Sequence, residues 1–162
     1  MEPSKRPKKQ ASQIADLDDV DIKILRALQR DSRVSFNTIA QDVGVSEATI
    51  FVRVKKMQES GAIKGFTALV SPSAVGKPLT AIVLVRANPK AYSGMLDALR
   101  KIDDIYEIYD VTGQYYCILK VRASGTDELG RIMDDLGRID GIAGTETIVV
   151  LRTVKEEVAV RV

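Results

Sequence analysis

The sequence predicts an α+β protein with a helical N-terminal domain and a C-terminal domain of order βαββαβ. Two observations predict this arrangement. Apolar residues recur at helical spacing in three short segments between residues 18 and 60, which indicates a trihelical unit. After residue 78, four strand-like segments are interleaved with two helical ones. That order is typical of a split-βαβ, ferredoxin-like sandwich.

Three short helices are predicted in the N-terminal domain, residues 17–70. The first begins after Asp18, the second runs from a Ser35 cap to Gly44, and the third runs from Ser46 to the residue before Gly61. None can bury its apolar face alone, so the three must pack on each other.

The spacing around the second turn is that of a DNA-binding helix-turn-helix. Such a motif needs a small residue where the helices approach, a glycine four positions later in the turn, and an apolar residue six positions further on. Ala40, Gly44 and Ile50 meet these requirements, and Ser46 can cap the third helix. The third helix would then enter the major groove. The alternative is a trihelical scaffold that contacts only protein.

The residues predicted to contact DNA belong to the third helix and its cap: Ser46, Glu47, Ala48, Thr49, Phe51, Arg53, Lys55 and Lys56. Phe51 and Val52 lie away from the buried face, where contact with thymine methyl groups would explain them. Alternatively, Phe51 packs under the first helix. Arg53 either binds phosphate or pairs with a carboxylate of the first helix. Lys55 and Lys56 are expected to contact phosphates rather than bases.

Charge is distributed in favour of this interpretation, although weakly. Residues 1–70 carry twelve Lys or Arg against nine Asp or Glu, whereas residues 71–162 carry twelve against thirteen. Residues 1–16 form a basic arm without apolar periodicity, predicted to be a solvated end or, alternatively, a support against DNA phosphates. Double-stranded DNA is therefore the expected partner.

Composition excludes several function classes. The absence of His excludes a Ser-His-Asp triad or a Cys–His pair, and a single cysteine, Cys117, excludes a disulfide within the chain or a multi-Cys zinc site. We expect no metal, no cofactor and no enzymatic activity.

The longest apolar run, residues 81–85, is far shorter than the roughly 20 residues of a membrane span. With no secretory signal in the sequence, a cytoplasmic protein with no membrane partner is expected.

A turn-rich linker, residues 71–78, separates the helical domain from the C-terminal one, predicted to cover residues 79–155 and to be followed by a tail, 156–162. The stretch 62–70 before the linker reads as a short strand or a wing. Strands are predicted at 79–87, 105–111, 115–122 and 145–153, and helices at 91–101 and 126–138.

The first and last strands of the predicted sandwich are apolar on both faces. Helices cover only one face of such a sheet, so an association surface is expected on the other. A two-fold homodimer is the commonest solution, and we take Val83 and Ile148 as candidate interface positions.

The chain resembles the Lrp/AsnC, or feast/famine, family of transcription regulators across residues 17–155. The segments that carry the resemblance are Leu17-Asp18-x-x-Asp21-x-x-Ile24-Leu25, Arg33-Val34-Ser35, Val45-Ser46-x-x-Thr49-Ile50-x-x-Arg53-Val54-Lys55-Lys56-Met57, Gly61-x-Ile63-x-Gly65-Phe66-Thr67 and Val111-Thr112-Gly113-x-Tyr115. The resemblance implies dimerisation through the sheets, further assembly from tetramer to octamer, and an amino-acid effector at a dimer–dimer interface.

The resemblance places the effector pocket around one loop and the last strand: Thr112, Gly113, Gln114, Tyr115, Tyr116, Thr145 and Thr147. A turn at Gly113 can offer amide hydrogens to a ligand carboxylate. The family usually has Asp where this chain has Tyr116, so the resemblance leaves open whether an amino acid binds in the family's usual way. Strand propensity alone explains Thr145 and Thr147 equally well.

The sequence thus predicts a sequence-specific DNA-binding transcription regulator modulated by an amino acid or a related small molecule. Two alternatives remain open at this stage. One is an architectural protein that wraps DNA with little sequence preference. The other is a ligand-binding module of amino-acid metabolism without DNA contact, against which the Ala40, Gly44 and Ile50 spacing argues.

Overall fold

A computed structural model describes residues 16–162, so the predicted basic arm, apart from Asp16, lies outside the described residues. The chain divides into two compact units. The first contains the described residues up to Ala68 together with Glu157–Val162, and the second contains Leu69–Glu156. Residues 157–162, predicted to be a tail, are therefore part of the helical unit.

The first unit is built from α1 (Asp19–Arg30), α2 (Phe36–Val43) and α3 (Glu47–Glu59). Each helix begins at a side-chain cap. Asp18 and Asp21 form a reciprocal capping box at the start of α1. The hydroxyls of Ser35 and Ser46 accept backbone N–H bonds at the starts of α2 and α3.

The turn between α2 and α3 has the predicted geometry. Gly44 adopts φ 81°, a left-handed conformation that favours glycine. Its N–H and that of Val45 both donate to the Ala40 carbonyl, at 2.9 and 3.1 Å. Ala40 and Ile50 are buried on either side of this turn. The buried core of the unit consists of Ile24, Leu25, Leu28, Ile39, Ala40, Ile50, Val54, Met57 and Ile63.

Of the two alternatives for residues 62–70, a short strand or a wing, the strand was wrong, since that stretch contains no strand. Ile63 is buried in the helical core, and its N–H donates to the Met57 carbonyl at 3.0 Å. A strand also needs a paired neighbour to satisfy its backbone groups. Gly65 has φ 158°. The residues that follow it have high strand propensity, but no strand of this chain pairs with them.

The last residues of the chain contact α1. Val162 packs against the helical core, and its carbonyl oxygen accepts a bond of 2.8 Å from Arg26 Nε. The Val160 N–H donates to Gln29 Oε1, also at 2.8 Å. A segment distant in sequence thus becomes part of the helical unit.

The second unit is the predicted βαββαβ sandwich. A short 3₁₀ helix, Pro72–Val75, precedes its strands and helices: β1 (Leu79–Ala87), α4 (Tyr92–Leu99), β2 (Ile105–Asp110), β3 (Cys117–Ala123), α5 (Thr126–Gly137) and β4 (Ile142–Val149). The sheet is antiparallel throughout, in the order β2-β3-β1-β4. Side chains of α4 and α5 pack with one face of this sheet, and Cys117 is a buried core residue there, as predicted.

The predicted span of the last strand, residues 145–153, was wrong at both ends. β4 pairs with β1, and the ladder runs from Ala87↔Ile142 to Ala81↔Val149. The Val150 N–H still donates to Thr80 O, but β1 begins at Leu79, so it offers a register partner for at most one further residue, Leu151. The length of β1, rather than the propensity of residues 150–153, therefore ends β4.

The two faces of β1 are both apolar, but only one of them is available for association. Val83 is fully buried against the helices, so its assignment as an interface position was wrong. Ile82 and Leu84 point to the other face and are half-buried. Ile148 is the register partner of Ile82 and is 49% exposed. We call Ile82, Leu84, Ile118 and Ile148 the open-face cluster.

Residues 150–156 partly cover the same face. Glu156 forms ion pairs with Lys120 and Arg122 of β3, whose side chains are only 17% and 16% exposed. The Arg122 guanidinium also lies 5.7 Å from the ring centroid of Tyr106. Glu156 thus supplies counter-charge to two largely covered cations, and Glu107 also pairs with Lys120.

One ion-pair network ties the start of the second unit to its sheet and α5. Lys77 Nζ lies 2.8 Å from Asp104 Oδ1 and 2.7 Å from Glu128 Oε1. The second carboxylate oxygen of Glu128 accepts the Ser124 N–H at 2.5 Å. Lys77 and the Ser124 N–H lower the pKa of Glu128 to about 2 because both favour its charged form.

Candidate DNA interface and effector site

The exposed surface of α3 is fixed by the three residues that it buries. Ile50, Val54 and Met57 point into the helical core, so at 100° per residue the opposite stripe is formed by Ala48, Val52 and Lys55. All three of these are exposed. The stripe begins one turn after Gly44, at the end of the helix capped by Ser46, which is the end that enters the major groove in helix-turn-helix proteins.

Arg53 forms an ion pair with α1, which was one of its two predicted roles. Its Nη1 lies 2.7 Å from Asp18 Oδ2 and 2.9 Å from Asp21 Oδ1. The Asp21 backbone N–H and the Arg53 guanidinium hold the pKa of Asp18 below its usual value, and the two carboxylates raise the pKa of Arg53. The same carboxylates that cap α1 therefore hold α3 in place.

Phe51 does not pack under α1. Its ring meets Phe36, the first residue of α2, edge to face at a centroid distance of 6.4 Å, and 56% of the residue stays exposed. The contact fixes the Phe51 side chain on the α2 flank of α3. The other flank borders a shallow cleft lined by Asp16, Asp18, Asp21, Ala48, Thr49, Val52, Arg53 and Lys56.

The remaining predicted DNA contacts are polar or charged. The Ser46 and Thr49 hydroxyls bond to each other at 2.8 Å, and Glu47 is exposed in the first turn. Lys55 Nζ lies 3.9 Å from Glu59 one turn later, in a surface pair that contributes little. Lys56 is exposed beside the cleft. All the predicted residues thus share one helix and its cap.

The predicted effector residues of the loop lie at the end of the β2–β3 hairpin. Thr112, Gly113 and Gln114 are exposed, and Gly113 has φ 112° with open space where a side chain would project. Tyr116 is half-buried, and its ring packs on Tyr92 of α4 at a centroid distance of 5.4 Å. The Tyr115 hydroxyl donates to Glu146 Oε2 at 2.5 Å.

The other two predicted effector residues lie on a different edge of the sheet. On β4, Thr145 and Thr147 are the register partners of Val85 and Val83 of β1. Thr147 Oγ1 lies 3.1 Å from the sulfur of Met133. Because β1 separates β3 from β4, the hairpin and Thr145 are two strand spacings apart, about 10 Å. The Tyr115 side chain nevertheless crosses this separation and reaches Glu146, which lies between the two threonines.

Sequence reasoning missed three residues at this end of the sheet. Glu146 accepts the Tyr115 bond. Tyr92 donates to the Tyr116 carbonyl at 3.4 Å, and burial together with the nearby Asp110 carboxylate raises the pKa of Tyr92. Only the strand register and the docking of α4 bring these groups together, so no local motif could have indicated them.

Across residues 16–162, no helix is long and apolar enough to cross a membrane. The same residues contain no group of three or more Cys, Asp or Glu side chains that could hold a metal ion. Neither observation adds a further candidate site to the two described.

Comparison with known proteins matches both units to one family. Residues 17–58 match the family model of the AsnC-type helix-turn-helix domain, and residues 80–160 match that of the Lrp/AsnC ligand binding domain. The HTH-type transcriptional regulator FL11 of Pyrococcus furiosus is 40% identical over 140 residues, which cover 86% of this chain and 93% of that protein. The HTH-type transcriptional regulator Ptr1 of Methanocaldococcus jannaschii is 33% identical over 141 residues, covering 86% and 95%.

Solved structures agree with these sequence matches. The structure of E. coli AsnC is 32% identical and superposes with a TM-score of 0.83, covering 88% of this chain and 97% of that one. A transcriptional regulator of Neisseria meningitidis, solved in complex with L-Met, shares the fold with a TM-score of 0.82 at 24% identity, covering 89% and 96%. With a helix-turn-helix and a ligand-binding sandwich both in place, the chain belongs to the Lrp/AsnC family of DNA-binding transcription regulators.

Proposed function

We propose that the chain binds a defined site on double-stranded DNA through α3, as a homodimer or a larger homo-oligomer, and that an amino acid adjusts this binding. The observation that carries the DNA contact is the exposed surface of α3, where Lys55 continues the stripe of Ala48 and Val52 and Lys56 lies on its flank. Lysines at the edge of a recognition helix suit phosphates. Arg53, already paired with two carboxylates, is better explained as support for α3.

The salt dependence of DNA binding tests this contact. Lys55→Ala and Lys56→Ala should each flatten the slope of log affinity against log salt by about one unit, because each removes one phosphate contact. Lys101→Ala, at an exposed position of the second unit, is the matched control and should leave the slope unchanged. Unchanged slopes in both α3 variants would remove these lysines from the interface.

Competition separates a sequence-specific regulator from an architectural protein. A duplex enriched from a random pool should retain the protein against a large excess of random competitor DNA. Random competitor that displaces the enriched duplex at equal concentration would instead support the architectural alternative.

The association of two copies is proposed through the open-face cluster, since Ile148 is exposed beside apolar neighbours on β1. Ile148→Asp would bury an unpaired charge in that interface and should shift the sedimentation coefficient towards the monomer. Val149→Asp is the control, because Val149 is similarly exposed but points to the opposite face. A dimer unaffected by Ile148→Asp would require another interface.

We propose that an amino-acid effector binds beside the hairpin at Gly113 and that a second copy completes the pocket. The match to a ligand binding domain supports an effector, and the exposure of Thr112, Gly113 and Gln114 supports a pocket that a second copy covers. The Neisseria meningitidis complex supports including L-methionine among the ligands tested.

Calorimetric titration of the twenty amino acids into the full chain tests the effector. Gly113→Val should abolish the binding heat, because φ 112° is strained for valine even though the space is open. Gly94→Ala in α4 is the control, at an ordinary φ with open space. Wild-type protein that binds none of the twenty would end the amino-acid hypothesis.

A further inference from the structure

We propose that Val52 and Ala48 read the C5-methyl groups of thymines, so that this regulator selects DNA sites with thymines at fixed positions. The inference rests on the proposed binding of DNA through α3 and adds the chemistry by which bases are chosen. Val52 is the central residue of the proposed contact.

The first argument is the direction in which the side chains point. Val52 lies opposite Ile50 and Val54 on α3 and is 63% exposed, and Ala48 lies one turn before it on the same stripe. A valine this exposed at the centre of a stripe gains nothing from packing within the chain. In the major groove, the thymine methyl is the apolar group presented by the base pairs.

The second argument is that the arginine of α3 is already engaged. An arginine bonded to guanine is the commonest specific contact in the major groove, but Arg53 Nη1 is held by Asp18 and Asp21. If the Arg53 guanidinium moved to a base, Asp18 and Asp21 would lose their counter-charge close to the negatively charged DNA. The hydroxyls of Ser46 and Thr49 bond to each other, which leaves one free hydroxyl hydrogen between them.

The third argument is the arrangement of the flanks. On the α2 side, Phe51 is fixed by the edge of Phe36, which limits its reach towards a base. On the other side, Lys56 borders the cleft that Val52 also lines. In this arrangement the cationic groups suit phosphates at the edge of the groove. The apolar strip between them suits methyl groups at its floor.

Replacement of thymine by deoxyuridine removes only the methyl group and tests the proposal directly. Duplexes enriched from a random pool by the full chain are resynthesised with deoxyuridine at one thymine at a time. Wild type should lose about four-fold in affinity at one or two positions, the effect of about one buried methylene-sized group. Val52→Ala should bind thymine and deoxyuridine duplexes equally at one of those positions, because the valine side chain that contacts the thymine methyl group has been removed.

Val75→Ala is the matched control, because Val75 is also 63% exposed but lies in the second unit. It should discriminate between thymine and deoxyuridine as wild type does. Enriched duplexes whose affinity never depends on a methyl group would overturn the proposal while leaving sequence-specific binding intact. Discrimination retained in Val52→Ala would also overturn it, because another residue would then read the methyl. A pool from which nothing is enriched would end both this inference and the sequence-specific function.

Discussion

The α3 surface and the predicted effector residues differ in how the chain assembles them. The α3 surface comes from consecutive residues of one helix, whose direction is set by Ile50, Val54 and Met57. The effector residues come from a hairpin and from β4, on opposite sides of β1. A single capped helix presents its exposed surface through local periodicity, whereas residues on two non-adjacent strands come near each other only through strand register and long side chains such as that of Tyr115. Substitutions in the helical unit and in the sandwich are therefore expected to affect different properties of the regulator.

The largest effect is expected from breaking the support of α3. Ile50 is fully buried, so Ile50→Ala should destabilise the helical unit by about 2–5 kcal/mol and abolish DNA binding. Denaturant titrations followed by far-UV circular dichroism would report this loss. All five tyrosines lie between residues 92 and 116, so the near-UV tyrosine signal reports the second unit separately.

Leu119→Ala, in the buried core of the sheet, is the converse change. It should move the tyrosine transition by a similar amount and leave the helical unit largely unaffected. Equal shifts of both transitions in both variants would show that the two units unfold as one.

The next largest effect is expected from deleting residues 157–162, which tests whether they stabilise the helical unit that they contact. Their deletion removes the Val162 packing and the bonds to Arg26 and Gln29. We expect a loss of about 1–2 kcal/mol from the helical unit, seen in its denaturation midpoint, with the tyrosine transition unchanged. Faster amide exchange in α1 of the deletion variant would locate the effect, and unchanged exchange there would contradict it.

A smaller effect should separate the support of α3 from the contact with DNA. Arg53→Gln removes the guanidinium from Asp18 and Asp21 and should cost about 1 kcal/mol. The salt slope of DNA binding should stay at the wild-type value, unlike that of the lysine variants, if Arg53 contacts no phosphate. Arg33→Gln, from an ion pair whose arginine is 90% exposed, should change neither quantity. A flatter slope for Arg53→Gln would restore it as a phosphate contact.

The smallest effect concerns pH and the second unit alone. The folded-state pKa of Glu128, about 2, lies below its usual 4.5. Its contribution to stability is therefore present above pH 4.5 and is lost as the pH falls towards 2. Contact with solvent weakens this contribution. Denaturation followed by the tyrosine signal should show stability falling over this window, with a shallower fall in Glu128→Gln. Glu107→Gln serves as the comparison on the sheet and should follow wild type if Glu128 is responsible.

Prediction from the sequence succeeded where neighbouring residues decide the structure. The caps at Asp18, Ser35 and Ser46 and the turn at Gly44 depend on contacts within a few positions along the chain. The span of β1 and the order of the sandwich were also predicted, because a continuous apolar run marks β1 and the apolar patterns of strands and helices follow one another along the chain. The strand in 62–70 and the end of β4 were wrong, since both depend on whether a partner strand extends that far.

The sequence by itself determined the family, the two-part α+β architecture and the capped helix α3 that we propose binds DNA, because periodicity, caps and a glycine turn are local properties. Only the tertiary structure decided between the alternatives for Arg53 and Phe51, assigned Val83 to the core, and joined residues 157–162 to α1. It also showed that the hairpin and Thr145 lie on opposite sides of β1. These outcomes depend on contacts between residues distant in sequence, whose partners are chosen by strand register and packing rather than by propensity.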